Sequence, residues 1–304
     1  MGEFRSVLLT GSRGFTGLHL RKVLTQAGYR VAGLVRSQPA ADEVEGDLSS
    51  VPSLVDAVRD VRPELVVHLA AIAYVGHADP LDFYKVNLCG TLNLLQALDQ
   101  SRIPVRKVIL ASSSNVYGIS PVIPVGEDAI PAPVNHYAMS KLAMEYMSRN
   151  WLNRLPIVIT RPFNYTGPGQ SETFLVPKIV SHFVRKESKI RLGNLDVQRE
   201  FNDVRTVAYG YKVLLEDAPP GSVVNICTGV GHCLTDVLKL AERITGFVLE
   251  VDVDPALVRA NELPVLVGNP DRFNSMVKDA PAFSLEETLT SMIHQYSRYN
   301  QPSV

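Results

Sequence analysis

Ser6-Val7-Leu8-Leu9-Thr10-Gly11-Ser12-Arg13-Gly14-Phe15-Thr16-Gly17 sets the fold class of this chain. The apolar run SVLLT suits a buried parallel strand. After the turn, Leu18, Leu20, Val23 and Leu24 recur at helical spacing. The order is strand, glycine turn, helix. Glycines at 11, 14 and 17 follow the spacing G-x-x-G-x-x-G. Gly11 allows a tight turn, Gly14 lets the backbone approach a pyrophosphate, and Gly17 lets the helix lie close to the sheet. The helix N-terminus favours an anion. Glycine turns also close ordinary strand–helix corners. Here the strand before and the helix after favour nucleotide binding.

The next strand, Tyr29 to Val35, ends in Arg36. No acidic residue stands at 34–38 to hydrogen-bond a ribose 2′-hydroxyl. Arg36 and Arg13 instead suit a 2′-phosphate, because arginine makes bidentate phosphate contacts. The bland alternative is two solvated arginines at a loop end. NADPH is the expected cofactor, with NADH as the second candidate.

Strand-like segments at Glu64–Ala70, Arg106–Ser112 and Pro156–Arg161 alternate with helical ones at Pro80–Gln100 and His136–Trp151. This predicts an α/β fold with a doubly wound parallel sheet and ligands at the carboxyl ends of its strands. After Arg161 the rhythm breaks. Residues 162–202 are rich in Gly, Pro and polar side chains, with one helical pattern around Pro177–Arg185. Val223–Cys227 and the helix Leu234–Thr245 are expected to return to the sheet, and 247–273 to be irregular. The expected division is 1–161, mainly nucleotide-binding, and 162–304, a smaller and discontinuous substrate lobe, with about 203–245 returning to the first part.

The 304 residues are 46% apolar, enough for one large α/β domain and a smaller lobe. With 30 basic and 31 acidic side chains, net charge −1, no nucleic-acid or membrane-binding surface is expected. No apolar run is long enough for a membrane span. The start MGEFRSVLLTGS lacks the long apolar segment of a signal peptide. Cys89, Cys227 and Cys233 are few and unpatterned, which suggests reduced thiols in a cytoplasm. The spacing of Cys227, His232 and Cys233 fits no common zinc motif, so no metal is expected.

Tyr137 and Lys141, in the run YAMSK, lie four apart and share a helix face. A free phenol titrates at about 10, and a fixed cation beside it is expected to pull it toward neutrality. That makes Tyr137 a candidate proton donor or acceptor for a carbonyl/alcohol pair, although such pairs also arise by chance. Ser113 follows the strand RKVILAS and would face the same crevice as the glycine turn. It can donate to a substrate oxygen, or simply cap backbone groups.

Five segments occur in order: Thr10-Gly11-x-x-Gly14-Phe15-x-Gly17, His68-Leu69-Ala70-Ala71, SSSNVYG, YAMSK and Arg161-Pro162-Phe163-Asn164. Together they resemble the extended short-chain dehydrogenase/reductases that act on nucleotide sugars, over essentially the whole chain. The resemblance implies a Rossmann-type fold and a catalytic set of Ser113, Tyr137 and Lys141. For the cofactor it implies Gly11, Arg13, Gly14, Phe15, Gly17 and Arg36, then Leu48, Ala70 and Ala71, with Tyr137 and Lys141 contributing. Asp47 resembles the residue that contacts adenine; its other reading is a helix cap, which Ser49 could equally supply. Asn87 is implied to orient Lys141 or the nicotinamide region. Dehydratases of this family carry acidic residues just after the catalytic Ser/Thr. Ser114 and Asn115 stand there, and neither is a useful acid or base near neutral pH.

Asn164–Gln170, Phe174–Lys178 and Leu192–Phe201 resemble the nucleotide-sugar and diphosphate segments of GDP-mannose dehydratases and their partner reductases. Asn261–Pro270 is similar to the C-terminal element of GDP-4-keto-6-deoxy-D-mannose reductases, although the usual Arg-Pro start reads Arg259-Ala260. The implied substrate residues are Ser113, Asn164, Val176, Lys178, Arg199 and Arg259. The expected reaction is NADPH-dependent reduction of the C4 keto group of a GDP-4-keto-6-deoxy-hexose, with GDP-D-rhamnose as product. A 4-epimerase that retains NAD is the enzymatic alternative. A nucleotide-sensing binding protein is the non-enzymatic one, and the intact Ser–Tyr–Lys set argues against it. The family also suggests a homodimer through Pro80–Gln100 and His136–Trp151, using Leu88, Leu92, Leu95, Met144 and Met147, unless these helices merely cover the sheet.

Overall fold

The computed structural model describes residues 5–258 and 263–299. The first half alternates as expected, through β1 (Ser6–Thr10), α1 (Phe15–Gln26), β2 (Arg30–Val35), β3 (Glu43–Glu45), α2 (Val51–Val61) and β4 (Leu65–His68). It continues with α3 (Pro80–Phe83), α4 (Gly90–Ser101), β5 (Lys107–Ala111), α5 (His136–Ser148) and β6 (Ile157–Pro162). The second half carries β7 (Tyr165–Thr166), α6 (Leu175–Arg185), β8 (Lys189–Leu192), β9 (Gln198–Arg199), β10 (Asn202–Asp203) and α7 (Val204–Asp217). Then come β11 (Val223–Ile226), α8 (Leu234–Thr245), β12 (Glu250–Val253), β13 (Val265–Leu266), α9 (Asp271–Met276) and α10 (Leu285–Tyr299).

Seven strands pair in parallel in the order β11-β6-β5-β4-β1-β2-β3. Winding reverses between β1 and β4, so a crevice opens at their carboxyl ends. The strands are buried on both faces and their side chains alternate between two cores. Val7, Leu9, Val67 and Ile109 pack with Leu20 and Leu24 of α1 and with Tyr211 and Leu214 of α7. Leu8, Val66, Val108 and Leu110 pack with Leu54, Leu94 and Met144 on α2, α4 and α5. One wide-pitched turn, Tyr84–Cys89, joins α3 to α4, so the helix expected over Pro80–Gln100 is one continuous rod with a π-type insert.

A third core gathers Val176, Ile179 and Val180 of α6, Leu234 and Val237 of α8, and Leu289 and Met292 of α10. Two parts of the chain leave this lobe and return to the sheet. β11 pairs with β6, while α7 and Phe273 of α9 join the α1 face. The expected return of Leu234–Thr245 does not occur. Its apolar side chains Leu234, Val237 and Ala241 form one stripe, and that stripe faces α6 and α10. The span 247–273, expected to be irregular, holds β12, which pairs in parallel with β8, and also β13 and the start of α9. No helix among the described residues is long and apolar enough to cross a membrane.

Candidate active site

The glycine turn is closed by sterics. Gly11 has φ +69°, and a Cβ there would sit 2.9 Å from the Ala70 nitrogen. A Cβ on Gly17 would lie 2.1 Å from the Gly11 carbonyl oxygen, so a side chain would push α1 off the turn. Behind the turn a chain of buried hydrogen bonds ties β1, β4 and α4 together. The Thr10 hydroxyl accepts from the Ala70 N–H at 3.1 Å, which leaves its proton for His68 Nδ1 at 2.7 Å. His68 Nε2 then donates to the Thr91 hydroxyl at 2.9 Å, and Thr91 donates to the Asn87 carbonyl at 2.7 Å. Burial, and secondarily the Lys141 charge, push His68 down to about 3, so the ring stays neutral, as this network requires.

A cavity of about 550 Å³ opens above the turn. Of the expected cofactor residues, Gly11, Arg13, Gly14, Arg36, Asp47, Leu48 and Ala70 line it. Ser12 and Lys85 also line it and were not singled out from the sequence. The Ser12 hydroxyl is buried with no hydrogen-bond partner, and it fills the space left by Gly33, whose Cβ would come 2.5 Å from it. An orphaned hydroxyl in a side-chain-free cradle at a helix N-terminus fits a dinucleotide phosphate. Asp47 is not the cap of α2, nor is Ser49; Ser50 is, accepting from the Ser53 N–H. The Asp47 carboxylate accepts from the Ser49 N–H at 2.8 Å. That bond and the nearby Arg36 hold it below the usual carboxylate range.

Phe15 turns away from this cavity. Its ring stacks on Tyr165 at 6.1 Å, Thr16 hydrogen-bonds the Tyr165 hydroxyl at 2.7 Å, and His19 reaches the Pro168 carbonyl at 2.9 Å. The start of α1 is thereby docked on the segment that resembles a nucleotide-sugar loop. Asn87 makes no hydrogen bond to Lys141 among the described residues and is not among the residues lining this cavity. Its amide clamps the Ile72 backbone at 2.9 and 3.2 Å and donates to the Ser140 hydroxyl at 3.1 Å, fixing the loop after β4 to α5.

Asn135 caps α5 by accepting from the Ala138 N–H at 2.8 Å, which places Tyr137 and Lys141 one turn apart on the buried face. Ser113 lies two residues beyond the end of β5 and accepts from the Asn115 backbone and side-chain amides at 3.2 and 3.1 Å. It also lies near enough to the Tyr137 phenol to oppose the rise in that group's pKa. The structure thus brings the three expected catalytic residues together, with a different electrostatic balance. Burial pushes Tyr137 up to about 12, and only Ser113 opposes it. The Lys141 ammonium donates to the Ala111 carbonyl at 2.7 Å and keeps its charge there. Burial brings Lys141 itself down to about 8, with Glu145 opposing.

Several of the expected substrate residues are engaged with neighbouring parts of the chain. The Val176 side chain is buried in the third core. Asn164 is tied through its carbonyl to the Asn202 N–H at 3.0 Å, and Lys178 donates to the Arg191 carbonyl at 3.2 Å. The Arg199 guanidinium reaches the carbonyls of Gln198 at 2.8 Å and Leu263 at 2.6 Å, so it tethers the segment after residue 262 instead of standing clear for a diphosphate. Arg259 lies outside the described residues.

The fold and the Ser–Tyr–Lys geometry define a nucleotide-dependent oxidoreductase class, and the chain belongs to the NAD dependent epimerase/dehydratase family, which it matches over residues 7–227. It is 34% identical to GDP-6-deoxy-D-talose 4-dehydrogenase of Aggregatibacter actinomycetemcomitans, over 88% of this chain and 89% of that one. It is 32% identical to GDP-6-deoxy-D-mannose reductase of Pseudomonas aeruginosa, over 95% and 96%. Among solved structures, a Burkholderia cenocepacia protein provisionally called an epimerase superposes with TM-score 0.91 at 43% identity, covering 98% and 100%. RMD from Pseudomonas aeruginosa, complexed with NADPH, gives TM-score 0.87 at 30% identity, covering 97% and 99%.

Proposed function

We propose that the protein reduces the C4 ketone of a GDP-4-keto-6-deoxy-hexose with NADPH, giving GDP-D-rhamnose, which is GDP-6-deoxy-D-mannose. The observation that carries this reading is the Ser113–Tyr137 hydroxyl pair beside the buried Lys141, next to the glycine-turn crevice. Bound NADPH supplies a hydride to C4. Tyr137 gives its phenolic proton to the C4 oxygen, so that ketone, hydride and proton sum to the secondary alcohol. Ser113 already accepts from Asn115 and keeps its own proton to orient the same oxygen. The ammonium of Lys141, near the phenol, favours the charge left on Tyr137. The relatives named for GDP-6-deoxy sugars and the NADPH complex support this assignment. The talose dehydrogenase favours one second product, the C4 epimer GDP-6-deoxy-D-talose, reached by hydride delivery to the opposite face. Three unbridged cysteines suit a cytoplasmic setting.

The test is incubation with NADPH and 4-keto-6-deoxy sugars carrying GDP, UDP or dTDP, with NMR of the product. Turnover of the GDP sugar is expected, with inhibition by GDP and little by UDP or dTDP. Equal inhibition by all three would defeat the GDP assignment. A tightly retained NAD with no NADPH consumption would replace reduction by 4-epimerisation.

A homodimer belongs to the same proposal, on altered grounds. Leu95 and Met144 are buried against the sheet and are not available to a partner. Leu81, Met139 and Tyr146, on α3 and α5, are 62%, 44% and 51% exposed and form the apolar outer surface of the same helices. Light scattering at micromolar concentration should return twice the chain mass; a monomer mass would reject the dimer.

A further inference from the structure

We propose that Glu43 governs how strongly the protein distinguishes a 2′-phosphorylated nucleotide from one with a free ribose, by holding Arg13 in a closed ion pair. This rests on the reading that the cavity above the glycine turn takes NADPH. Parallel pairing of β2 with β3 sets Gly33 opposite Glu43 and lifts that carboxylate beneath the cavity. Arg13 Nε donates to Glu43 Oε1 at 3.0 Å and Nη2 to Oε2 at 2.6 Å. Nη2 also donates to the Gln38 carbonyl at 2.7 Å. Glu43 is fixed in turn by the Ala40 N–H at 2.9 Å and by Arg21 at 3.8 Å. Its side chain is 3% exposed against 53% for Arg13, so the carboxylate is the buried anchor and the guanidinium the exposed arm.

Arg13 and Arg36 both line the cavity, but they are not equivalent. Arg36 makes no hydrogen bond or ion pair among the described residues and meets Asp47 only at longer range, whereas Arg13 is in direct contact with a full negative charge. A 2′-phosphate arriving there meets one available guanidinium and one neutralised by its partner. Glu43 does not line the cavity, so its influence passes through Arg13. It is a positioning and charge-balancing residue that weakens phosphate discrimination and leaves room for NADH.

Calorimetric titration of the full chain with NADP⁺, NAD⁺ and 2′,5′-ADP tests this without turnover. Glu43→Gln keeps the shape and removes the charge. It should tighten NADP⁺ and 2′,5′-ADP about five- to tenfold, the scale of one screened charge interaction near a surface, and leave NAD⁺ within about twofold. Glu43→Leu is a second neutral variant and should act in the same direction. In an Arg13→Met background the same change should give no gain. Weakened or unchanged 2′,5′-ADP binding in both neutral variants, or a gain that survives Arg13→Met, would overturn the role of Glu43. The NADPH reading fails separately, if wild-type protein binds NAD⁺ but no 2′,5′-ADP and Arg36→Asp changes neither. In that case the appearance of 2′,5′-ADP binding in Glu43→Gln would still support the ion pair as the discriminating element.

Discussion

Tyr137→Phe is expected to lower the reductive kcat by roughly 10²–10⁴, the usual contribution of a positioned general acid. The ring should stay in place, since it packs edge-on against Phe83 at 6.0 Å and is 8% exposed. Only the hydroxyl that meets Ser113 is lost. Burial holds that phenol up to about 12, so it reaches a ketone fully protonated across the neutral range, as donation to the C4 oxygen requires. Because the change removes one hydroxyl and keeps the ring, calorimetric affinity for NADP⁺ should change little. Near-normal turnover in the variant would remove Tyr137 from the chemistry. Collapse of both turnover and NADP⁺ binding would show that the site had been disrupted.

Arg161→Met should destabilise the protein by about 3–5 kcal/mol, the cost of stranding one member of a buried ion pair. Arg161 on β6 grips Glu145 on α5 through two bonds of 2.9 and 2.6 Å, with side chains 4% and 1% exposed. Its guanidinium also lies 4.8 Å from the centre of the Tyr117 ring. Removing it leaves the Glu145 carboxylate buried without its paired guanidinium, with only the more distant Lys141 charge beside it. The double variant Glu145→Met/Arg161→Met should recover most of the loss, because two apolar groups replace two compensated charges. Urea midpoints of the single and double variants decide the matter. A single-variant loss below about 1 kcal/mol would place the pair with solvated surface bridges.

What could be read from the residues, and what could not, divides along physical lines. SVLLT, the glycine spacing and the Tyr137–Lys141 interval depend on strand and helix periods that local sequence carries, and each stands where it was expected. Glu43 was invisible because it reaches Arg13 through the register of β2 against β3, and a parallel register is set by tertiary packing. Lys141 and Arg199 were expected to turn their charge toward a phenol and a diphosphate. Both donate to backbone carbonyls, of Ala111 and of Gln198 and Leu263, acceptors that every residue carries and no motif displays. The stripe of α8 was legible as an apolar face, but nothing local said whether the sheet or α6 and α10 would cover it.

The late return of the chain to the sheet also governs how the protein can be made and cut. β6 has one neighbour in β5, and its other edge is filled only by β11. The α1 face is not sealed until α7 arrives, and Gly210 of α7 leaves its space to the ring of Phe273, where a Cβ would come within 2.7 Å. On the ribosome, a nascent chain that has just released β6 exposes an open strand edge and a bare apolar surface, both of which invite misassociation. Residues 1–161 are therefore expected not to fold as a free-standing nucleotide-binding module. A truncation meant to retain that half has to run through Ala280, the last residue packed against the α1-face core, and so carries most of the second lobe with it.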